Sequence, residues 1–133
     1  MKKSAVKILL VDDSDVMLGY LAALLSKQGL EVATATSLVT AVDAFCRTRP
    51  QLILMDFVLE PTRTGLETLA AIFSVAGAVR PLAAILTQGA LTPADEQKAS
   101  DWGVAVLQKP VRGKEADFLA LVDQLVKKVP AQV

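Results

Sequence analysis

Gln51-Leu52-Ile53-Leu54-Met55-Asp56 runs four apolar side chains straight into one carboxylate. A short apolar run without alternation fits a strand buried on both faces of a parallel sheet. Ligands of open α/β sheets bind in the crevice beyond the carboxyl ends of the strands. Asp56 therefore stands where chemistry would sit. Alone, a carboxylate in that place is more often an N-cap or a turn residue, so the other strand ends decide the matter.

Outward from this stretch the chain alternates strands and helices. Upstream, Val6 to Val11 is a first strand closed by Asp12-Asp13. A helix starting at Ser14 or Asp15 carries Leu18, Leu21, Leu24 and Leu25 as one apolar stripe. Gly29 suits its C′ position. A short second strand spans Glu31 to Ala35, and Ser37 can N-cap a second helix bearing Leu38, Val42 and Phe45. Pro50 stops that helix.

Downstream, Phe57 to Thr64 is predicted as a loop, and Gly65 leads a third helix with Leu66, Leu69, Ile72 and Phe73. Pro81 precedes a fourth strand, Leu82 to Thr87. Thr92 as N-cap with Pro93 at N1 and Asp95 at N3 starts a fourth helix, which ends near Trp102-Gly103. Val104 to Gln108 is the fifth strand, followed by Lys109-Pro110. The last helix places Phe118, Leu121, Val122, Leu125 and Val129 on one face. Five βα units with short connections imply a parallel sheet with right-handed crossovers.

At 133 residues the chain is predicted as a single domain over 1–133, with a core of about 6–129 and a short tail at 130–133. Hydrophobic residues make up 53%, enough to fill a core without disulfides or metal staples. Fourteen basic and fourteen acidic residues cancel, which argues against a general nucleic-acid or membrane surface. The lone Cys46 suits a reducing compartment, and neither a signal-peptide core nor an apolar run of ~18 residues is present, so the expectation is cytoplasmic.

In a parallel sheet the ends Asp12-Asp13, Asp56, Thr87 and Lys109 share one edge. At ~4 Å and an effective dielectric near 20, each carboxylate pair costs about 4 kcal/mol at the upper range. A cation relieves that repulsion, and Mg²⁺ suits an all-oxygen site with few protein ligands. A carboxylate, a hydroxyl and an ammonium around it make a cradle for a phosphoryl group.

This ordered set, an acidic pair, an Asp, a Thr and a Lys-Pro, resembles the receiver domain of two-component response regulators over nearly the whole chain. The likeness is greatest to the single-domain, chemotaxis-type members. It implies a flavodoxin-like (βα)5 doubly wound parallel sheet with strand order 2-1-3-4-5. It further implies that Asp56 accepts phosphate from a phosphohistidine on a sensor histidine kinase or histidine phosphotransfer domain. Asp13 and Asp56 would bind Mg²⁺ directly, Asp12 largely through water, and the carbonyl of Val58 would be a further ligand. Thr87 would bond one phosphoryl oxygen and Lys109 another. The family also has a cis peptide at the Lys-Pro step, here Lys109-Pro110. Output would pass to a downstream protein that the sequence does not name, with neither nucleic acid nor membrane as partner. The chain would be a phosphoacceptor rather than a turnover enzyme.

Several positions depart from the family pattern. The loop after Asp56 is one residue longer than usual, with Glu60 in place of proline. Gln88 follows Thr87 where a small residue is common. Val106 replaces a switching aromatic, and Val111 replaces a Phe, which leaves the loop Gln88 to Leu91 as the candidate signalling element. Val58 and Gly89 occupy the two positions that help place a hydrolytic water in this family, and neither side chain can do so. Cys46 is expected to be a buried small hydrophobe, Trp102 to be a packing residue or a partner anchor, and Lys127-Lys128 to complement the last helix dipole. Other readings remain. One is an aspartyl-nucleophile, Mg²⁺-dependent phosphatase using Asp13-x-Asp15. Another is a flavodoxin-like electron carrier, although an acidic loop after Val11 suits a flavin phosphate poorly. The third is a receiver module of a hybrid kinase or transcription factor.

Overall fold

In the computed structural model, residues 6–60, 63–110 and 112–129 are described. The strands are β1 (Lys7–Val11), β2 (Glu31–Ala35), β3 (Leu52–Asp56), the short pair β4 (Val58–Glu60) and β5 (Arg63–Thr64), then β6 (Leu82–Thr87) and β7 (Ala105–Gln108). The helices are α1 (Asp15–Ser26), α2 (Leu38–Thr48), α3 (Gly65–Ala76), α4 (Pro93–Asp101) and α5 (Glu115–Lys127). Five strands pair in parallel in the order β2-β1-β3-β6-β7. With the short pair set aside, this is the expected 2-1-3-4-5 order of a flavodoxin-like doubly wound sheet. Strand order reverses between β1 and β3, and such a switch point opens a crevice beyond the strand ends. The two strands that flank it deliver Asp12-Asp13 and Asp56.

Burial follows the period-two alternation of the strands. Leu9, Val11, Ile53, Met55, Ala83 and Ile85 face one core, with Ala41, Ala44 and Phe45 from α2, Leu66, Leu69 and Ile72 from α3, and Ala99 from α4. Ile8, Leu10, Leu52, Leu54, Ala84 and Leu86 face the other, against Leu18, Leu21 and Leu25 of α1 and Phe118 and Val122 of α5. All of β3 is buried, as its unbroken apolar run requires. The helix starts obey local chemistry. Ser14 Oγ accepts from the Met17 amide, Ser37 and Thr40 form a reciprocal box, and Thr92 Oγ1 accepts from the Asp95 amide with Pro93 behind it.

Four expectations are corrected. Phe57 to Thr64 is not a plain loop: Val58 pairs with Thr64 and Glu60 with Arg63 as an antiparallel hairpin, held inward by fully buried Leu59. The Lys109–Pro110 peptide is trans, since no cis bond occurs among the described residues; trans is also the lower-energy isomer for X-Pro. Cys46 is exposed because it sits one residue, about 100° of helix turn, past buried Phe45. Leu121 is likewise exposed at 40%, one residue before the core position Val122. Trp102 packs edge-on against Phe73, with ring centroids 6.3 Å apart. The position Val111 and the tail at 130–133 lie outside the described residues.

Gly65 fixes how α3 meets β3. A Cβ at this position would stand 2.7 Å from Met55 Cγ and clash with the Asp56 carbonyl oxygen. Its amide also donates to the Phe57 carbonyl at 2.6 Å. Gly65→Ala is therefore expected to lower the melting temperature, at a cost of about 1–3 kcal/mol for overpacking. Gly19→Ala is the control, because its added methyl meets nothing within 4 Å. Equal melting temperatures for the two variants would refute the close approach.

Candidate phosphoryl-acceptor site

Each strand around the crevice ends in one polar group. β1 runs into Asp12, which is 2% exposed, and into exposed Asp13. β3 ends in Asp56 and β6 in Thr87, both buried. Lys109 follows β7, and its amide donates to the Thr87 carbonyl at 2.9 Å, so the parallel register carries on past the strand. These five residues and Val58 line a single cleft of about 350 Å³. Ser14, Met17, Phe57 and Gln88 complete the lining. Asp15, by contrast, opens α1 as an exposed residue outside that lining.

The cleft centres on an ammonium between two carboxylates. Lys109 Nζ lies 3.1 Å from Asp12 Oδ2 and 3.0 Å from Asp56 Oδ1. The second oxygen of Asp12 accepts the Ser14 amide at 2.9 Å, which orients the carboxylate. Carboxylate oxygens of Asp12, Asp13 and Asp56 all fall within 4.8 Å of one another. Thr87 turns inward on its own loop, where its hydroxyl donates to the Gly89 carbonyl at 3.0 Å and accepts the Gly89 amide at 3.2 Å.

Burial pushes the Asp56 carboxyl above the usual carboxylate range, and the charges of Asp12 and Asp13 add to the rise. The Lys109 hydrogen bond and charge oppose it without cancelling it. Burial pulls the Lys109 ammonium down, but its bonds to Asp56 and Asp12 and their charges outweigh that, so it is raised. Three acids thus share one base. The ammonium stays charged, and burial with the neighbouring carboxylates holds Asp56 raised.

Sequence reasoning placed the strand-end residues but missed Ser14 and Met17. Both could have been found: a helix that begins two residues after an acidic pair must point its first turn at those acids. A second clip was not legible. The Tyr20 hydroxyl donates to Glu115 Oε2 at 2.7 Å and ties α1 to the start of α5. The bond raises the Tyr20 hydroxyl and lowers the Glu115 carboxyl relative to their ordinary values.

A raised folded-state value means that Asp56 contributes most to stability below its unfolded value near 3.9, and that this is lost as pH rises through the folded value. At neutral pH, ionised Asp56 costs stability. In chelator, Asp56→Asn is expected to melt higher than wild type at pH 7, by on the order of a few degrees. The gap should close as pH falls through the folded value. Melts across pH 4 to 8 read this out, and a variant that melts lower throughout contradicts the sign.

Comparison with known proteins agrees with this geometry. The sequence profile described as the response regulator receiver domain matches residues 8–122. A curated relative, protein-glutamate methylesterase/protein-glutamine glutaminase 1 of Anaeromyxobacter dehalogenans (strain 2CP-C), is 33% identical over 112 residues. That match covers 82% of this chain and 31% of the relative, so the chain spans about a third of the length of the protein it matches. Among solved structures, chemotaxis protein CheY4 of Vibrio cholerae superposes with a TM-score of 0.79 at 25% identity, covering 92% of this chain and 99% of that one. The N-terminal domain of a response regulator/sensory box/GGDEF 3-domain protein from Carboxydothermus hydrogenoformans gives 0.76 at 27%, covering 91% and 94%. With the profile match spanning most of its length, the chain belongs to the response regulator receiver domain family.

Proposed function

We propose that the chain accepts a phosphoryl group on Asp56 from a phosphohistidine and then signals through a changed surface offered to a downstream protein. The observation that carries this is the Lys109 ammonium, held on Asp56 Oδ1 and Asp12 Oδ2 at one end of a family-typical sheet. In the transfer, an Asp56 oxygen attacks phosphorus, the phosphorus–nitrogen bond of the donor breaks, and the electron pair leaves on the imidazole, which takes up a proton. The donor belongs to another protein or domain, a sensor histidine kinase or histidine phosphotransfer domain, because this chain has no histidine.

Asp12, Asp13 and Asp56 suit a Mg²⁺ ion: three carboxylates within 4.8 Å meet one ammonium, an excess of negative charge in an all-oxygen setting. When bound, Mg²⁺ would neutralise charge on the transferring phosphoryl oxygens. The Val58 carbonyl is proposed as a further ligand. Lys109 pairs with a phosphoryl oxygen, and Thr87, freed from Gly89, donates its hydroxyl to another. Gln88 is exposed and lines the same cleft.

Phosphorylation by acetyl phosphate or a phosphohistidine donor is expected to require Mg²⁺, to be lost in Asp56→Asn and to be sharply slowed in Asp13→Asn. Phosphate-affinity gels measure it, and label surviving in Asp56→Asn would move the acceptor elsewhere. The phosphorylated form is expected to decay slowly. Val58, two residues after Asp56, is apolar and 67% exposed beside the cleft, and Gly89 has no side chain, so neither orients a water. The space at Gly89 is open to an added Cβ. Val58→Asn with Gly89→Glu should therefore speed decay, by roughly tenfold or more for a positioned polar pair. An unchanged decay rate would show that these positions do not set the lifetime.

A further inference from the structure

A second hollow, of about 280 Å³, opens at the edge of the sheet opposite the carboxylates. Gln51 and Leu82 line it, at the starts of the strands that end in Asp56 and Thr87. At about 3.3 Å per strand residue, the two hollows stand ~17 Å apart. Buried Phe45 and half-buried Ala76 supply apolar lining, while Val79 is 83% exposed at its margin.

Two arginines complete the hollow, and both are held in place. The Arg49 guanidinium lies 5.0 Å from the Phe45 ring centre and that of Arg80 3.9 Å from the Phe73 ring centre. Stacking leaves the donors in the guanidinium plane available for carboxylates. Arg80 uses one on the Trp102 carbonyl at 3.3 Å. Among the described residues, neither arginine makes a salt bridge.

The backbone supplies a separate observation. Arg49 ends α2 with φ 47° and ψ 63°, and it is the one non-glycine at positive φ among the described residues. Glycine is the usual residue for this left-handed helix end, and an L side chain is strained there. Stopping the helix before Pro50 requires the conformation but not the arginine. What arginine adds over glycine is a guanidinium stacked on Phe45 at the hollow.

We propose that the hollow docks an acidic segment of a partner protein, seating one aromatic or large aliphatic side chain there while its carboxylates pair with Arg49 and Arg80. Arginine beside an aromatic-lined pocket is the composition of interface hot spots. The hollow opens to solvent at exposed Val79 and Arg80, which suits a peptide better than an enclosed small molecule. A partner held at this edge leaves the carboxylate edge free, so both can be engaged at once.

The test is titration of the ¹⁵N-labelled full chain with the peptide Ac-Glu-Glu-Phe-Leu-Glu-Glu-NH2. Its glutamine counterpart and a Gly-Ser version without the apolar pair serve as controls. The expected result is amide shifts confined to the hollow, with Kd at least about tenfold weaker for either control. The same loss is expected in Arg49→Gly with Arg80→Gln. Arg49→Gly alone should melt no lower than wild type while binding more weakly, which separates docking from folding. Absence of hollow shifts up to about 5 mM peptide, equal binding of the glutamine peptide, or shifts at Asp56 instead would overturn the proposal. So would 4-phenylbutyrate binding as tightly as the peptide, which would make the hollow a small-carboxylate site.

Discussion

Everything at the carboxyl edge of the sheet depends on one ammonium between two buried carboxylates. Lys109 follows β7, Asp12 follows β1 and Asp56 ends β3, and in sheet order β6 lies between β7 and β3. The pair of contacts near 3 Å therefore closes the strand ends across the sheet rather than along a ladder. Buried charges of this kind contribute little net stability when matched, but removing the one ammonium would leave two carboxylates buried and unpaired, at a cost of about 3–5 kcal/mol. Lys109 is thus a structural residue of the edge as well as a charge within the cleft. The edge has a single base for three acids, and Asp56 is raised first by its burial and then by the charges of Asp12 and Asp13.

The backbone below keeps that acid in place. The Phe57 amide donates to the Leu86 carbonyl at 2.9 Å, which holds the turn after Asp56 against β6. Gly65 brings the first turn of α3 onto the Asp56 carbonyl at a separation no other residue type allows. The hairpin β4–β5 spans these two fixed points, with Leu59 as its buried anchor. The connection from β3 to α3 thus pairs with itself at Val58–Thr64 and Glu60–Arg63.

The sheet was legible because its signals are local and redundant. Unalternated apolar runs, Ser and Thr caps, and Gly29 and Gly103 at helix ends (φ 81° and 69°) each specify an element within a few residues. The strand-end residues were legible because parallel topology alone sends every carboxyl end to one edge. The hairpin was not, since strands of three and two residues carry no periodicity and depend on pairing across the turn. Cys46 and Leu121 failed for another reason. Each lies one position from a core residue, and a stripe drawn from the sequence does not fix its own edges to within 100°. Nothing local marks the bond from Tyr20 to Glu115, 95 positions apart.

Thr87 connects the two states that the proposed chemistry requires. Its hydroxyl has one proton, and that proton is given to the Gly89 carbonyl. To donate to a phosphoryl oxygen the hydroxyl must give up Gly89, whose carbonyl then needs another donor or water. Hydrogen-bond accounting thus ties the Thr87 hydroxyl to the segment from Gln88 to Leu91 through Gly89. Leu91, at the end of that segment, is 7% exposed, so its packing anchors the segment to the body of the domain. Val106 on the neighbouring strand is 40% exposed and has no polar handle to take part. Among the described residues, the polar contacts of the Thr87 hydroxyl therefore run to the loop, and none of them runs to β7 at Val106.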